Sequence, residues 1–183
     1  MSSGTMPTHA ITDEELLRRP RDGTKCELVD GELRVSPAGW LHERIVMRLA
    51  RRMASFVEAG NLGDVLGSNA LYGMPSGNKR SPDVSFVAAG RLDKSCPGEP
   101  FPRLAPDLAV EVLSPDDSAP YVLDKVGEYL QSGVKLIWVI DPEARSATVY
   151  RSPGDVHHVG ADDVLSGEEV IPGFGCRLAD VLG

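Results

Sequence analysis

Apolar residues recur at helical spacing in one long stretch of the chain and at strand spacing in several short ones. From Trp40 to Ala59, Leu41, Ile45, Leu49, Met53 and Phe56 fall on one face and Gly60 closes the run, which predicts a long amphipathic helix. Upstream, Thr12 followed by Glu15 forms a capping box, so a short helix is expected over 13–19, ended by Pro20. The segment ELVDGELRV (27–35) carries Asp30-Gly31 between two alternating runs and predicts a hairpin closed by a type I′ turn. Short strand-like pieces follow at 64–66 and 70–72, then the polar loop PSGNKRSP, then a strand at 83–88. DLAVEVLSP (107–115) is apolar enough to be covered on both faces, so it is expected at the centre of a sheet. Val122, Val126, Tyr129 and Leu130 mark one face of a second amphipathic helix over 120–132, stopped by Gly133. Strands at 135–140 and 148–151 are joined by the turn Asp141-Pro142, and LADVL near the end reads as a last short helix. This order predicts an α/β sandwich, a mixed sheet with helices against its faces. The expected organisation is a disordered terminus over 1–12 and a single domain over 13–183.

Composition narrows the class without changing that picture. With 183 residues, 42% hydrophobic and 25% charged, the chain has enough apolar material for one core, which excludes a disordered or collagen-like protein. Its apolar stretch Leu136 to Ile140 is far too short for a bilayer, and MSSGTMPTHA lacks the basic start and apolar run of a secretory signal. A cytoplasmic protein without a membrane segment is expected. Cys26, Cys96 and Cys176 stand far apart with no CxxC pair, so they read as reduced and inert. A net charge of −8 argues against wholesale coating of nucleic acid; any such contact must be local.

Candidate chemistry rests on acids in unusual places. The chain lacks GxGxxG, the phosphate-loop GK[ST] ending, HExxH and GxSxG, and adjacent His157 and His158 would point to opposite faces of a strand. Asp83, by contrast, opens a strand in RSPDVSF, and Glu111 sits inside LAVEVL. A carboxylate on a central strand costs several kcal/mol in desolvation unless it is paired or bound to a cation. An ion pair with an Arg, or exposure at a strand end, would explain either acid alone. Two carboxylates some 5 Å apart in one cleft would repel by roughly 3 kcal/mol at an effective dielectric near 20, which a divalent cation would relieve. Oxygen donors without nearby Cys or His favour Mg²⁺ or Mn²⁺. Asp107 forms a second Pro-Asp, but along one strand it would lie about 13 Å from Glu111, too far to share a cation.

SPDVSF, then VEVLSP, then a lysine-bearing helix with YLQSGV running into WVIDP, in this order, resembles the Uma family of restriction-endonuclease-like proteins, a branch of the PD-(D/E)XK nuclease superfamily. The resemblance covers about residues 13–180. It implies a restriction-endonuclease-like α/β core in which Asp83 and Glu111 hold a metal and a lysine helps the attacking water; a main-chain carbonyl near Val112 is expected beside the metal. One departure is plain: Leu113 stands where the superfamily pattern has Lys, two residues after Glu111. The resemblance offers Lys125 on the next helix instead, at the border of its buried face, from which it can reach along the sheet; the alternative there is a surface lysine with a buried stem, and Lys135 is the next candidate. It also implies that Glu27 is an extra acid at the site and that His42 steadies a ligand, although His42 by its helical position is first a hydrogen-bonded core histidine.

The first functional expectation is therefore an Mg²⁺- or Mn²⁺-dependent endonuclease acting on nucleic acid, with DNA as the expected substrate. The rival is a catalytically inactive module of the same fold that binds DNA or protein; a hydrolase built on Ser114 and a C-terminal histidine is a distant third. A homodimer follows only by analogy with nucleases that cut two strands. For nucleic-acid contact, Arg44, Arg48 and Arg51 align along the long helix away from its apolar stripe, with Arg52 at the edge, and Lys79 and Arg80 precede Asp83.

Overall fold

The computed structural model describes residues 11–18, 25–35, 39–92, 101 and 104–183. The expected disorder before residue 11, the stop at Pro20 and the state of Cys96 lie outside these. α1 (Asp13–Leu17) starts on the Thr12–Glu15 capping box, with both reciprocal hydrogen bonds formed. β1 (Cys26–Val29) and β2 (Glu32–Val35) pair as the expected hairpin, and Asp30 and Gly31 both take positive φ, as a type I′ turn requires. α2 (Trp40–Gly60) follows and ends on Asn61 in the left-handed region.

The main sheet has six strands in the order β10-β9-β8-β7-β6-β3: Asp155–Gly160, Ser146–Ser152, Leu136–Asp141, Leu108–Val112, Val84–Ala88 and Gly63–Gly67. Among the described strands only β7 and β8 pair in parallel, joined by the crossover helix α3 (Ala119–Gln131). A smaller sheet, β2-β1-β5-β4, adds β4 (Tyr72–Gly73) and β5 (Lys79–Arg80), and β11 (Val164–Ser166) pairs with β12 (Gly175–Arg177) before α4 (Leu178–Leu182).

The two faces of the sheet divide as strand alternation dictates. Val84, Phe86, Leu108, Val110, Val112 and Trp138 pack with Ile45, Leu49 and Met53 of α2. On the other face Val87, Ala109, Ile137 and Val139 pack with Val126 and Tyr129 of α3. Glu111 continues the Ala109 side of β7, so its carboxylate stands in the face that α3 covers. Leu41, expected in the α2 stripe, is 38% exposed; the buried face runs through Ile45, Val46, Leu49, Met53 and Val57. β10, β5 and the β11/β12 pair were not foreseen, because their residues alternate too weakly or are too few to carry a strand pattern.

Asp107 illustrates a structural acid at the other end of β7. It accepts the Ala88 N–H at 2.9 Å and pairs with Lys135 at 2.8 Å and with Arg91. Lys135, committed here, is thereby removed from the Glu111 end of the strand. Burial opposes ionisation of Asp107, but the hydrogen bonds from Lys135, Ala88 and Arg91 hold its carboxyl below the ordinary value. A depressed folded-state pKa gives stability that is present above the unfolded value of 3.8 and is lost as pH falls through the folded one. Asp107→Asn should therefore cost about 1–3 kcal/mol near neutral pH, with the gap to wild type closing in acid. Urea unfolding of both proteins at several pH values checks this; a gap independent of pH would refute it.

Candidate metal-dependent active site

The register of β6 on β7 brings the two key acids together. Val84 pairs with Val110, Ser85 with Ala109 and Phe86 with Leu108; carried one residue further, the register sets Asp83 opposite Glu111 on the same face. Sequence spacing could not supply this, because the register is fixed by pairing between strands. Both carboxylates meet a third side chain, Lys25, whose Nζ lies 2.6 Å from Asp83 Oδ1 and 3.7 Å from Glu111 Oε2.

Each acid is held by further donors. Asp83 Oδ2 accepts the Val112 N–H at 2.8 Å and lies 3.1 Å from His42 Nε2, so the first turn of α2 reaches the site through His42. Glu111 receives Lys125 Nζ at 2.9 Å on one oxygen and the Tyr129 hydroxyl at 2.7 Å on the other. Lys125 and Tyr129 are one helical turn apart on α3, which is why one carboxylate can take both. Glu27, from β1, accepts the Ser81 N–H at 2.8 Å and the Tyr121 hydroxyl at 3.1 Å, and it lies 3.1 Å from Lys125 Nζ. Lys125 thus joins Glu27 to Glu111. Lys25, His42, Asp83, Glu111, Tyr121 and Lys125 line a cleft of about 410 Å³ that also includes Arg34 and Ser114.

Burial and pairing set the protonation states. Burial disfavours the Asp83 carboxylate, but the hydrogen bond from His42 and the Lys25 ammonium outweigh it and hold Asp83 well below the usual carboxylate range. The same contact, against the effect of burial, raises His42 above its ordinary value. Burial pushes the Glu111 carboxyl upward against the pull of Lys125 and Lys25. Burial works against the Lys125 ammonium, but Glu111 and Glu27 reverse that and hold its proton more tightly than an ordinary lysine does.

Asp83, Glu111, Lys125, Glu27 and His42 are therefore assembled in one place, and Lys125 reaches the acids from its helix. The arginines are less uniform. Arg44 is exposed and stacks on Trp40 at 5.1 Å, and Arg51 is exposed. Arg48 is half-buried, its guanidinium against Gly183, so it does not extend the strip. Lys79 and Arg80 correct the expectation more firmly: both are buried, Lys79 pairing with Asp13 at 3.1 Å and Arg80 with Glu27 at 3.3 Å and with Glu128. Their cations hold the protein together instead of facing a phosphate. Ser114 lines the cleft, but His157 and His158 lie on β10, three strands from β7, about 14 Å away at the usual strand spacing. That pair is not assembled. Sequence reasoning missed Lys25, Tyr121 and Tyr129 as site residues. Lys25 precedes Glu27 by two, the strand period, and Tyr121, Lys125 and Tyr129 follow at helical intervals of four; those spacings were the available signal.

A divalent cation can be tested against this donor set. Asp83 and Glu111 aim oxygens at one cationic point, which suits Mg²⁺ or Mn²⁺. Among the described residues no three His, Cys, Asp or Glu side chains form a ready-made cage. Mg²⁺ commonly needs no such cage, taking one or two carboxylates and completing its shell with water and substrate oxygens. The fit is that of a two-carboxylate site.

A mixed sheet with a covering helix on each face is the α/β sandwich expected of the restriction-endonuclease-like class, and the two acids meet across adjacent strands at its cleft. The chain matches the Uma2 family, described as "Putative restriction endonuclease", over residues 13–179, and it belongs to that family. No curated protein matches it. Among solved structures, a crystal structure of a "putative nuclease belonging to DUF820" from Anabaena variabilis is similar, with a TM-score of 0.77 at 21% identity, covering 94% of this chain and 97% of that one. Among the described residues no helix is long and apolar enough to cross a membrane.

Proposed function

We propose that the chain is a metal-dependent endonuclease that hydrolyses phosphodiester bonds, with DNA as substrate. The observation that carries this reading is the convergence of Asp83 and Glu111 on one cation position, beside Lys125. Asp83 and Glu111 would hold Mg²⁺ or Mn²⁺, which when bound supplies a Lewis acid for the phosphate and a more acidic water. His42 and the Val112 N–H fix the rotamer of Asp83, while Tyr129 and Lys125 fix that of Glu111. Lys125, bound tightly to its proton between two carboxylates, is suited to orient water and to offset negative charge, and not to remove a proton. The test is nicking of supercoiled plasmid DNA in Mg²⁺ or Mn²⁺, stopped by EDTA. Plasmid that stays intact while DNA still binds would favour the inactive binding module.

For substrate contact, Arg44 and Arg51 are the exposed members of the α2 strip. Neutralising two phosphates gives a slope of roughly −1.8 in log K against log salt from these residues. Arg44→Gln/Arg51→Gln should reduce the magnitude of the slope by about that amount in Ca²⁺, with Arg48→Gln changing it little. Fluorescence anisotropy on a short duplex reads the result, and an unaltered slope in the double variant would remove α2 from the DNA-binding surface.

A further inference from the structure

The position a divalent cation would take is held by the chain itself. Lys25 Nζ is 2.6 Å from Asp83 Oδ1 and 3.7 Å from Glu111 Oε2, and only 12% of its side chain is exposed. It enters from the residue before β1, while Lys125, the other ammonium near Glu111 Oε2, comes from α3 and reaches on to Glu27 Oε1. Both lysines line the cleft, but their partners differ. Lys125 is held between Glu111 and Glu27, whereas Lys25 joins Asp83 to Glu111, the two proposed metal-binding carboxylates. Without a cation between them, Asp83 and Glu111 would repel, and Lys25 removes that repulsion. A divalent ion coordinated by the same oxygens would lie within contact distance of the ammonium, and two cations that close repel strongly in a buried site.

We propose that Lys25 is an internal counter-ion that occupies the divalent-cation position between Asp83 and Glu111 and is displaced when metal binds. This rests on the two-carboxylate metal reading above and adds to it a residue that sets metal affinity. The lysine stem has enough rotatable bonds to withdraw along the cleft wall while the strand behind it stays in place.

The experiment is Mn²⁺ binding by calorimetry to the wild type, Lys25→Met, Lys25→Arg and Asp83→Asn, each checked for folding by circular dichroism. Removing the competing charge should tighten Mn²⁺ binding about tenfold or more in Lys25→Met, while Lys25→Arg, which keeps a cation there, should bind no more tightly than wild type. In the wild type, ¹³C-labelled at lysine, the Lys25 Cε resonance should shift on saturation with Mg²⁺, a readout that needs no variant to fold. Equal or weaker Mn²⁺ binding by a folded Lys25→Met, with binding lost in Asp83→Asn, or an unmoved Lys25 resonance at Mg²⁺ saturation, would overturn the counter-ion role and leave the metal site standing. If neither wild type nor Lys25→Met binds Mn²⁺ or Mg²⁺, the metal reading itself falls and the counter-ion role with it.

Discussion

Asp83→Asn and Glu111→Gln should each lower metal-dependent DNA cleavage about a thousandfold. Both changes keep the shape of the side chain and remove the charge that a hard divalent cation needs. The two are expected to differ in what else they disturb. Asp83→Asn leaves Lys25 and His42 without their shared anion, whereas in Glu111→Gln the amide oxygen can still accept from Tyr129 or Lys125. Glu111→Gln is therefore the cleaner probe of chemistry. Single-turnover cleavage of plasmid DNA, with thermal unfolding measured in parallel, separates lost catalysis from lost fold. Cleavage at the wild-type rate in a folded Glu111→Gln would show that another site cuts the DNA.

Lys125→Met should unfold more easily by about 3–5 kcal/mol, in addition to losing cleavage. From its place at the edge of the apolar face, a lysine whose loss abolishes cleavage but leaves folding nearly intact is the expectation from sequence. The tertiary structure reverses this: its side chain is 8% exposed and its ammonium lies 2.9 Å from Glu111 and 3.1 Å from Glu27. Deleting it leaves two neighbouring buried acids with one fewer cation, and a cost of that size is a large share of a domain's net stability. Adding Glu27→Gln to Lys125→Met should recover part of the loss, because one of the two stranded charges goes with it. Urea unfolding of the wild type, both single variants and the double variant gives the coupling. A Lys125→Met protein as stable as wild type would remove the ion-pair role.

Much of the architecture was written in local pattern. The capping box at Thr12, the Asp30-Gly31 turn, the apolar stripes of α2 and α3 and the dense apolar run at β7 each state their conformation within a few residues, because caps, turns and periodicity act over that range. The presence of an acid in β7 also marked Glu111 as a residue needing a partner, since charge inside an apolar strand is costly wherever the strand ends up. The resemblance to the family added Lys125, Glu27 and His42 to that list, which spacing alone did not single out.

What the tertiary structure decided is which charges meet. The antiparallel register of β6 on β7 sets Asp83 across from Glu111; a slip of one residue would send either carboxylate to the opposite face. Asp107 and Glu111 lie on one strand four residues apart, yet the first is a structural acid bound by Lys135 and Arg91 and the second belongs to the cleft. Lys79 and Arg80 look like free cations in a polar loop, and pairing with Asp13, Glu27 and Glu128 turns them inward. Lys25 carried no signal beyond its spacing from Glu27, yet it holds the position between the two key carboxylates. Local sequence fixes backbone conformation through short-range sterics and hydrogen bonds, whereas the pairing of buried charges depends on contacts between segments tens of residues apart. The elements were therefore legible in the chain, and the partners of its charged side chains became visible only once the sheet and its helices had packed.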